Sequence, residues 1–334
     1  MLMDYNLLCC NVGRRGRLML DFRKSLSGKG LVVGTDNWSV APALFLADKM
    51  YVTPKITDPH YMDEVFAICE KEKIRAVGTF IDPEIEVLAA HRDEFQAKGI
   101  LPLCPSLQTA RLCMDKYLMF KHLRSKGVRT VLTYRTLADF QAGLGAGEID
   151  FPVFIKPVRG SGSVGARKVN DMETLKDLFA EGAYDYIIQE LMTGGDCDAD
   201  VYVDCISHKV ISVFSKRKIE TRIGGASKTI SFKDPALFDF VEEVVSVLEL
   251  SGPCDMDFFF KDGQYYLSEI NPRFGGAYLH AYGAGVDFVK YIMQNMDGKA
   301  CEPEIGQYDE GILMLMYDDV VIARESDLLR DYHD

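Results

Sequence analysis

The stretch Ser268-Glu-Ile-Asn-Pro-Arg-Phe-Gly-Gly276 decides the fold, and it follows the apolar run Cys254–Phe260 across a short polar turn. This pattern predicts a β-hairpin. Glu269 and Asn271 are two positions apart on its second strand, so their side chains face the same side of a sheet. Pairing across the turn can bring Asp257 of the first strand beside them.

Two carboxylates and an amide oxygen on one sheet face suit a hard cation such as Mg²⁺ that carries nucleotide phosphates. Acidic residues on strands with apolar neighbours are costly to bury unless a metal or a basic partner compensates. We therefore expect Asp257, Glu269 and Asn271 to bind Mg²⁺, with Arg273 close enough to reach the same phosphates. The alternative is a solvated outer face of the sheet.

A Gly/Ser loop, Arg159-Gly-Ser-Gly-Ser-Val-Gly-Ala166, lies between the predicted strands Phe151–Lys156 and Arg167–Val169. Glycines let backbone N–H groups approach an anion, and Lys156 adds a positive charge at the end of the strand. A strand rather than a helix follows, so the segment is not a P-loop. It indicates phosphate binding, with a plain hairpin loop as the alternative.

Residues 1 to about 105 alternate short apolar runs with helical patterns, which favours an open, mostly parallel sheet. Gly13-x-x-Gly16 follows the first strand, but a full G-x-G-x-x-G is absent and Asp36 is the nearest acidic candidate, so a tight turn is favoured over a dinucleotide site. Asp82-Pro83 predicts a helix start with Asp82 as N-cap. Asn170 and Glu173 predict a capping box for a later helix.

Composition excludes several classes of protein. The chain has 334 residues, enough for two or three domains, and 38 basic against 50 acidic residues give a net charge of −12. Such a chain is a poor general binder of nucleic acid or anionic membranes, and its apolar runs are too short for a membrane span. Nine cysteines without CxxC spacing favour reduced thiols, so we expect a cytoplasmic protein.

Together these residues resemble the ATP-grasp superfamily, and most closely single-copy proteins similar to the carbamoyl-phosphate synthase large subunit. The resemblance rests on Phe151–Pro157 with the Gly/Ser loop, on Gln189-Glu-Leu-Met192 and on Ser268–Gly276. It implies an α/β and α+β fold, in which an N-terminal Rossmann-like parallel sheet is followed by a two-lobed ATP-grasp domain. The expected domains are a Rossmann-like domain at 1–110, an ATP-grasp small lobe at 111–188, a large lobe with the metal site at 189–300, and a C-terminal tail at 301–334 that packs on the core.

The resemblance also implies site residues. ATP would be bound by Lys116, Lys156, Gly160, Ser161, Gly162, Ser163, Glu190, Leu191, Met192 and Asp196, Mg²⁺ (with Mn²⁺ as an alternative) by Asp257, Glu269 and Asn271, and catalysis would depend on Arg273, Lys156 and Arg222. Asp196 stands where the family more often has Glu. Asp257 stands where carbamoyl-phosphate synthases typically have Gln, which weakens bicarbonate as a substrate.

The implied activity is that of an ATP-dependent carboxylate–amine ligase, which activates a small carboxylate as an acyl phosphate for attack by an amine. No Ser-His-Asp or Cys-His constellation competes with this interpretation. One alternative is a small-molecule kinase on the same fold, and another is a nucleotide-binding carbamoyl-phosphate-synthase-like subunit without turnover. The sequence leaves a homodimer open and does not identify the acceptor.

Overall fold

A computed structural model of the chain describes residues 4–160, 162–222 and 225–330. Its first sheet, the N-terminal sheet, is parallel with the order β3-β2-β1-β4-β5. The strands are β1 Leu7–Cys10, β2 Val32–Asp36, β3 Lys49–Val52, β4 Ala76–Thr79 and β5 Leu101–Pro102, and the helices are α1 Gly16–Leu26, α2 Tyr61–Lys71, α3 Asp82–Ala90, α4 Arg92–Ala97 and α5 Leu107–Met114, with a 3₁₀ turn at Pro42–Leu46. The central strands are apolar runs because helices cover both faces of the sheet.

The Gly13 loop makes a tight turn rather than an open anion site. The Gly13 N–H donates to the Asp36 carboxylate at 2.8 Å, so a side chain of the protein already accepts the hydrogen bond that a phosphate would accept. Burial raises the pKa of Asp36, while hydrogen bonds from Gly13 and Trp38 oppose that shift. The tight-turn interpretation is therefore confirmed.

Two predicted helix caps are wrong. Ile81 is the N-cap of α3, and Asp82 is its first helical residue; the Asp82 carboxylate accepts a hydrogen bond from Arg273 instead of capping the helix. The later helix begins after Asp171, whose carboxylate accepts from the Thr174 N–H, so the predicted Asn170–Glu173 box does not form. Asp82 is thus used for a long-range ion pair, and at the later helix the neighbouring Asp171, rather than Asn170, has the geometry of a cap.

The second sheet, the small sheet, is antiparallel with the order β6-β9-β7-β8. It packs with its helices around a core that includes Phe140, Ile155, Leu175 and Ile188. The elements are α6 Lys116–Ser125, β6 Thr133–Tyr134, α7 Leu137–Gly145, β7 Val153–Pro157, β8 Arg167–Val169, α8 Met172–Glu181 and β9 Tyr186–Glu190. The Gly/Ser loop joins β7 to β8, as predicted.

The third sheet, the large sheet, has the order β14-β13-β10-β11-β12-β15 and is antiparallel throughout the described pairs. One face packs against α9 through residues such as Val201, Met256, Leu237 and Val241. The elements are β10 Gly195–Val203, β11 Val210–Arg222, β12 Gly225–Phe232, α9 Pro235–Ser246, β13 Gly252–Lys261, β14 Gln264–Asn271, α10 Tyr278–Gly283, α11 Phe288–Met296 and β15 Leu313–Leu315. The predicted hairpin is β13–β14, closed by the two-residue turn Asp262-Gly263.

Phe274 joins the large sheet to the N-terminal sheet. Its ring centroid lies 4.8 Å from that of Phe22 in α1 and 6.3 Å from that of Phe80, and on its other side it lies 4.9 Å from Tyr278. One buried apolar cluster therefore includes α1, β1, α10 and α11. The predicted fold class is confirmed, and the predicted domain boundaries stay a prediction.

All nine cysteines lie in the described part of the chain and are free thiols. Eight are buried, and Cys205 is half-buried. Burial raises the pKa of Cys69 to about 12 and that of Cys104 to about 12. Within the described ranges, none of the helices is long and apolar enough to cross a membrane.

A buried histidine connects the chain's C-terminal segment to the large sheet. β15 pairs with β12, and His280 beneath them accepts from the Thr229 hydroxyl at 2.7 Å and donates through Nε2 to the Ile312 carbonyl at 3.0 Å. Burial, together with the charge of Lys216, lowers the pKa of His280 to about 4. The imidazole is therefore a neutral, fully bonded structural group.

The neutral state of His280 predicts a pH dependence of stability. Between the ordinary pKa of histidine and about 4, the unfolded chain binds a proton that the folded chain does not. The free energy of unfolding should therefore decrease as the pH is lowered through this range, by about 3 kcal/mol over the whole range. In His280→Gln this part of the decrease should be absent, as measured by urea unfolding from neutral pH to about 4.5. His60→Gln, at an exposed position, is the control and should follow the parent. Parallel curves for His280→Gln and the parent would contradict the assignment.

Candidate functional site

The β10 strand presents carboxylates on one face and apolar side chains on the other. Asp196, Asp198 and Asp200 alternate with Cys197 and Ala199, which pack in the core with α9. The sequence analysis missed Asp198 and Asp200. Their signal was the strict alternation of acidic and apolar residues, which predicts a charged sheet face opposite an apolar one.

Lys218 lies at the centre of the acidic side chains. Its Nζ is 2.9 Å from an oxygen of Asp196, 2.7 Å from one of Asp198 and 2.6 Å from one of Asp257. Burial would raise the pKa of Asp257, but the Lys218 ammonium and a hydrogen bond with Asp198 lower it to about 2. Burial and the adjacent Asp257 charge raise the pKa of Asp198 well above its usual range. We call these four residues the Lys218 cluster.

A second ammonium–carboxylate pair lies deeper on the same sheet face. Lys216 Nζ lies 2.5 Å from Asp200 Oδ2, and both side chains are almost wholly buried. Burial raises the pKa of Asp200 to about 6 although the Lys216 charge acts in the opposite direction. Gly275 borders this pair: a Cβ atom there would lie 2.7 Å from Asp255 Oδ1 and 3.1 Å from Asp200 Oδ1, so a larger residue would displace the Asp255 carboxylate.

The hairpin register places the predicted metal ligands next to one another. Asp257 pairs with Glu269, and Asp255 pairs with Asn271 two residues along each strand. The Asn271 side-chain amide makes no hydrogen bond to any residue in the described ranges, although the residue is buried. Two carboxylates and one uncommitted amide oxygen on adjacent strands are the hard donors that Mg²⁺ prefers, so the residues present fit this metal.

Two lysines from the small-sheet side face these ligands. Lys116 Nζ lies 3.7 Å from Glu269 Oε2 and donates to the Gly160 carbonyl at 2.6 Å. Lys156 at the end of β7 has no ion pair within the described part of the chain. Burial lowers the pKa of Lys156, and Glu269 and Asp257 oppose that shift while Lys116 and Lys218 reinforce it. A desolvated cation without a paired anion is a strong candidate for contact with phosphate.

The Gly/Ser loop is exposed and has an unusual backbone. Gly160, Gly162 and Ser163 all have positive φ angles, of 115°, 70° and 58°. Consecutive residues with such angles can turn several N–H groups toward one anion. Ser161, also predicted to contact ATP, lies outside the described residues.

The predicted hinge follows the small sheet directly. Glu190 accepts a hydrogen bond from the Leu132 N–H at 3.1 Å and one from Lys261 at 3.0 Å, so its carboxylate is already engaged. Leu191 and Met192 are half-buried in the connection to β10. The backbone of this connection, rather than the Glu190 side chain, is therefore the part available to a ligand.

Arg273 connects two parts of the structure. Its Nε donates to Asp82 of α3 at 2.6 Å and its Nη1 donates to Asp255 of β13 at 3.2 Å. Burial would lower the pKa of Arg273, but these two carboxylates raise it. The guanidinium is thus held between the N-terminal and large sheets, and contact with a phosphate would require it to share or exchange a partner.

Arg222 lies apart from the lysines and carboxylates described above. It is the last residue of β11, its side chain is 63% exposed, and it contacts Asp318 at 3.4 Å. The described contacts therefore do not bring it to the predicted metal ligands. The resemblance also implies that the segment 216–225, which contains Arg222, faces the acceptor; residues 223 and 224 of that segment lie outside the described residues.

Comparison with known families now identifies the class of protein. Residues 113–277 match the ATP-grasp domain family, and residues 7–103 match the family described as PylC-like, N-terminal domain. Residues 113–277 therefore form an ATP-grasp domain, and the predicted resemblance to the ATP-grasp superfamily is confirmed.

Individual relatives are distant. The carbamoyl phosphate synthase large chain of Thermoplasma acidophilum is 25% identical over 247 residues, which is 68% of this chain but 23% of that protein. The D-alanine–D-alanine ligase B of Clostridium perfringens is 27% identical over 208 residues, covering 57% of this chain and 68% of the ligase. The chain therefore spans about a quarter of the first relative's length.

A solved structure shares the fold. The biotin carboxylase domain of the Hydrogenobacter thermophilus 2-oxoglutarate carboxylase, in complex with MgADP, has a TM-score of 0.73 and 19% identity. The alignment covers 93% of this chain and 73% of that one. At this identity the comparison demonstrates a common fold.

The Arg273 bridge predicts a loss of stability on substitution of its partner. Asp82→Asn keeps the shape of the side chain but removes one of the two carboxylates that face the buried Arg273 guanidinium. The free energy of unfolding should therefore fall by about 1.5–3 kcal/mol. Asp177→Asn, at an exposed position of α8, is the control and should stay within about 0.5 kcal/mol of the parent. Urea unfolding at neutral pH is the measurement. Equal stability of the two variants would show that Asp255 alone satisfies Arg273.

Proposed function

We propose that this chain uses ATP to convert a small carboxylate into an acyl phosphate, which an amine then attacks to form a carbon–nitrogen bond. The observation that carries the proposal is the approach of Lys116 to Glu269 at 3.7 Å, with Lys156, which forms no ion pair among the described residues, beside them. Lysines of α6 and β7 thus face the expected metal ligands of β13 and β14. This arrangement suits a polyphosphate bound between them.

Asp257, Glu269 and Asn271 would hold Mg²⁺, which supplies positive charge to the phosphates during transfer. Mn²⁺ as a substitute stays a prediction. Lys116 and Lys156 would bind phosphate oxygens from the opposite side, and the backbone at Gly160, Gly162 and Ser163 would exclude water above them. Leu191 and Met192 would contact the base through backbone groups, and Asp196 would contact the ribose.

The reaction needs no nucleophilic side chain of the protein. A carboxylate oxygen of the substrate forms a bond to the γ-phosphorus of ATP, the bond from that phosphorus to the β,γ-bridging oxygen breaks, and ADP leaves. The amine nitrogen then bonds to the acyl carbon, inorganic phosphate leaves, and the amine loses a proton. The chain's lysines position the reactants and stabilise the charge that develops during transfer. We also propose that Arg273 contacts the acyl phosphate and that Arg222 contacts the acceptor.

The comparisons support this proposal over its alternatives. D-alanine, the substrate named for one relative, is both a carboxylate and an amine, and the structural neighbour was solved with MgADP. A small-molecule kinase would use the same nucleotide site but release a stable phosphate ester. A subunit without turnover would bind nucleotide and form no ADP. Cytoplasmic location and a homodimer stay predictions.

A screen of small carboxylates and amino acids tests the proposal. The protein, ATP and Mg²⁺ are combined with each carboxylate in the presence and absence of amines, and both ADP and free phosphate are measured. A ligase releases equal amounts of ADP and phosphate with an amide product. ADP with a phosphorylated product would establish the kinase instead, and nucleotide binding without substrate-dependent ADP would establish the subunit without turnover.

Glu269 separates phosphoryl transfer from nucleotide binding. Glu269→Gln keeps the side-chain shape but removes a negative charge, so the Mg²⁺ requirement should rise, and turnover should fall more than ATP affinity because metal charge matters most in the transition state. ADP formation across a Mg²⁺ titration is the measurement once a substrate is known. Asp262→Asn in the hairpin turn is the control and should turn over like the parent. Parental turnover of Glu269→Gln at low Mg²⁺ would remove Glu269 from the metal site.

A further inference from the structure

The Lys218 cluster has the dimensions of a metal site. Asp196, Asp198 and Asp257 each offer a carboxylate oxygen, and these oxygens lie within 4.8 Å of one another. The position that a metal ion would take among them contains the Lys218 ammonium, at 2.6 to 2.9 Å from all three carboxylates. The acidic groups are therefore already matched by a cation of the chain itself.

The other cations near this cluster cannot replace Lys218. Lys216 is paired with Asp200 at 2.5 Å, and Lys156 has no carboxylate within ion-pair distance among the described residues. The Lys218 side chain is 16% exposed and that of Asp198 is 6% exposed, so little water screens these charges. Removing the ammonium would leave close carboxylates without a counter-charge, a strongly unfavourable state unless another cation enters.

Asp257 belongs to two sets of groups. It contacts Lys218 at 2.6 Å, and it pairs in register with Glu269, its partner in the proposed metal site. An ammonium and a divalent ion that share one carboxylate lie only a few ångströms apart and repel each other. Occupation of Asp257 by the ammonium and occupation by a metal therefore oppose each other.

We propose that Lys218 is the resident cation of this cluster in the nucleotide-free protein, that it prevents a divalent metal from binding there alone, and that it leaves Asp257 when a metal-bearing nucleotide arrives. The last step rests on the proposed function; the exclusion of metal by Lys218 does not. Lys218 is thus a positioning residue that makes metal and nucleotide bind together rather than metal first.

The test is Mn²⁺ binding in the absence of nucleotide. Two methods measure it: the paramagnetic resonance signal of free Mn²⁺ and the thermal unfolding of the protein. Lys218→Met empties the centre of the cluster, so Mn²⁺ affinity should increase at least about tenfold over the parent, and Mn²⁺ should raise the melting temperature of this variant alone. Lys228→Met is the matched control, because among the described residues Lys228 forms an ion pair with the exposed Glu220 alone, and its loss should leave Mn²⁺ binding unchanged. Equal Mn²⁺ affinity of Lys218→Met and the parent would overturn the proposal.

A second variant keeps the test decisive if Lys218→Met does not fold. Asp198→Asn with Lys218→Met removes the ammonium and replaces one of the carboxyl groups around it by an amide, and Mn²⁺ should still bind Asp196 and Asp257 more tightly than in the parent. Failure of this folded variant to gain Mn²⁺ binding would equally overturn the proposal. MgADP binding to the parent is measured separately by calorimetric titration. Absence of nucleotide binding would contradict the proposed function, but the conclusion from Mn²⁺ that Lys218 excludes metal would still hold.

Discussion

On the inner face of the large sheet each buried ammonium is held against carboxylates: Lys216 against Asp200, and Lys218 against the carboxylates of its cluster. Neither partner of such a pair tolerates burial alone, because desolvation of a single charge costs several kcal/mol. This pairing explains why β10 alternates charged with apolar residues. The opposite face is free to form an uninterrupted apolar core with α9.

The same requirement joins the N-terminal sheet to the large one. Arg273 donates both to Asp255 of the large sheet and to Asp82 of α3, and Phe274 next to it packs between Phe22 and Tyr278. A charged contact and an aromatic contact from adjacent residues thus fix one interface. The ends of the N-terminal strands are thereby held close to the proposed phosphoryl-transfer site.

Local patterns in the sequence predicted much of this structure. The β13–β14 hairpin, the Gly/Ser loop between two strands and the parallel sheet depend on nearby residues or on simple alternation, and these predictions agree with the structure. The partners of charged groups did not follow from local pattern. Asp82 looked like a helix cap, but its partner Arg273 is 191 positions away in the chain. Lys218 likewise gains its role only when β10, β11 and β13 align, which requires the tertiary pairing of distant strands.

The burial of the cysteines has a practical consequence for spectroscopy. Eight thiols are buried, and the half-buried Cys205 is packed against the Tyr202 hydroxyl, so reagents in solution meet little native sulfur. A cysteine introduced at the exposed Ser163 would be a preferred attachment point for a fluorophore or spin label. Labelling of the native cysteines should therefore be low, and a single probe attached to the Gly/Ser loop could report on that loop without prior removal of other thiols.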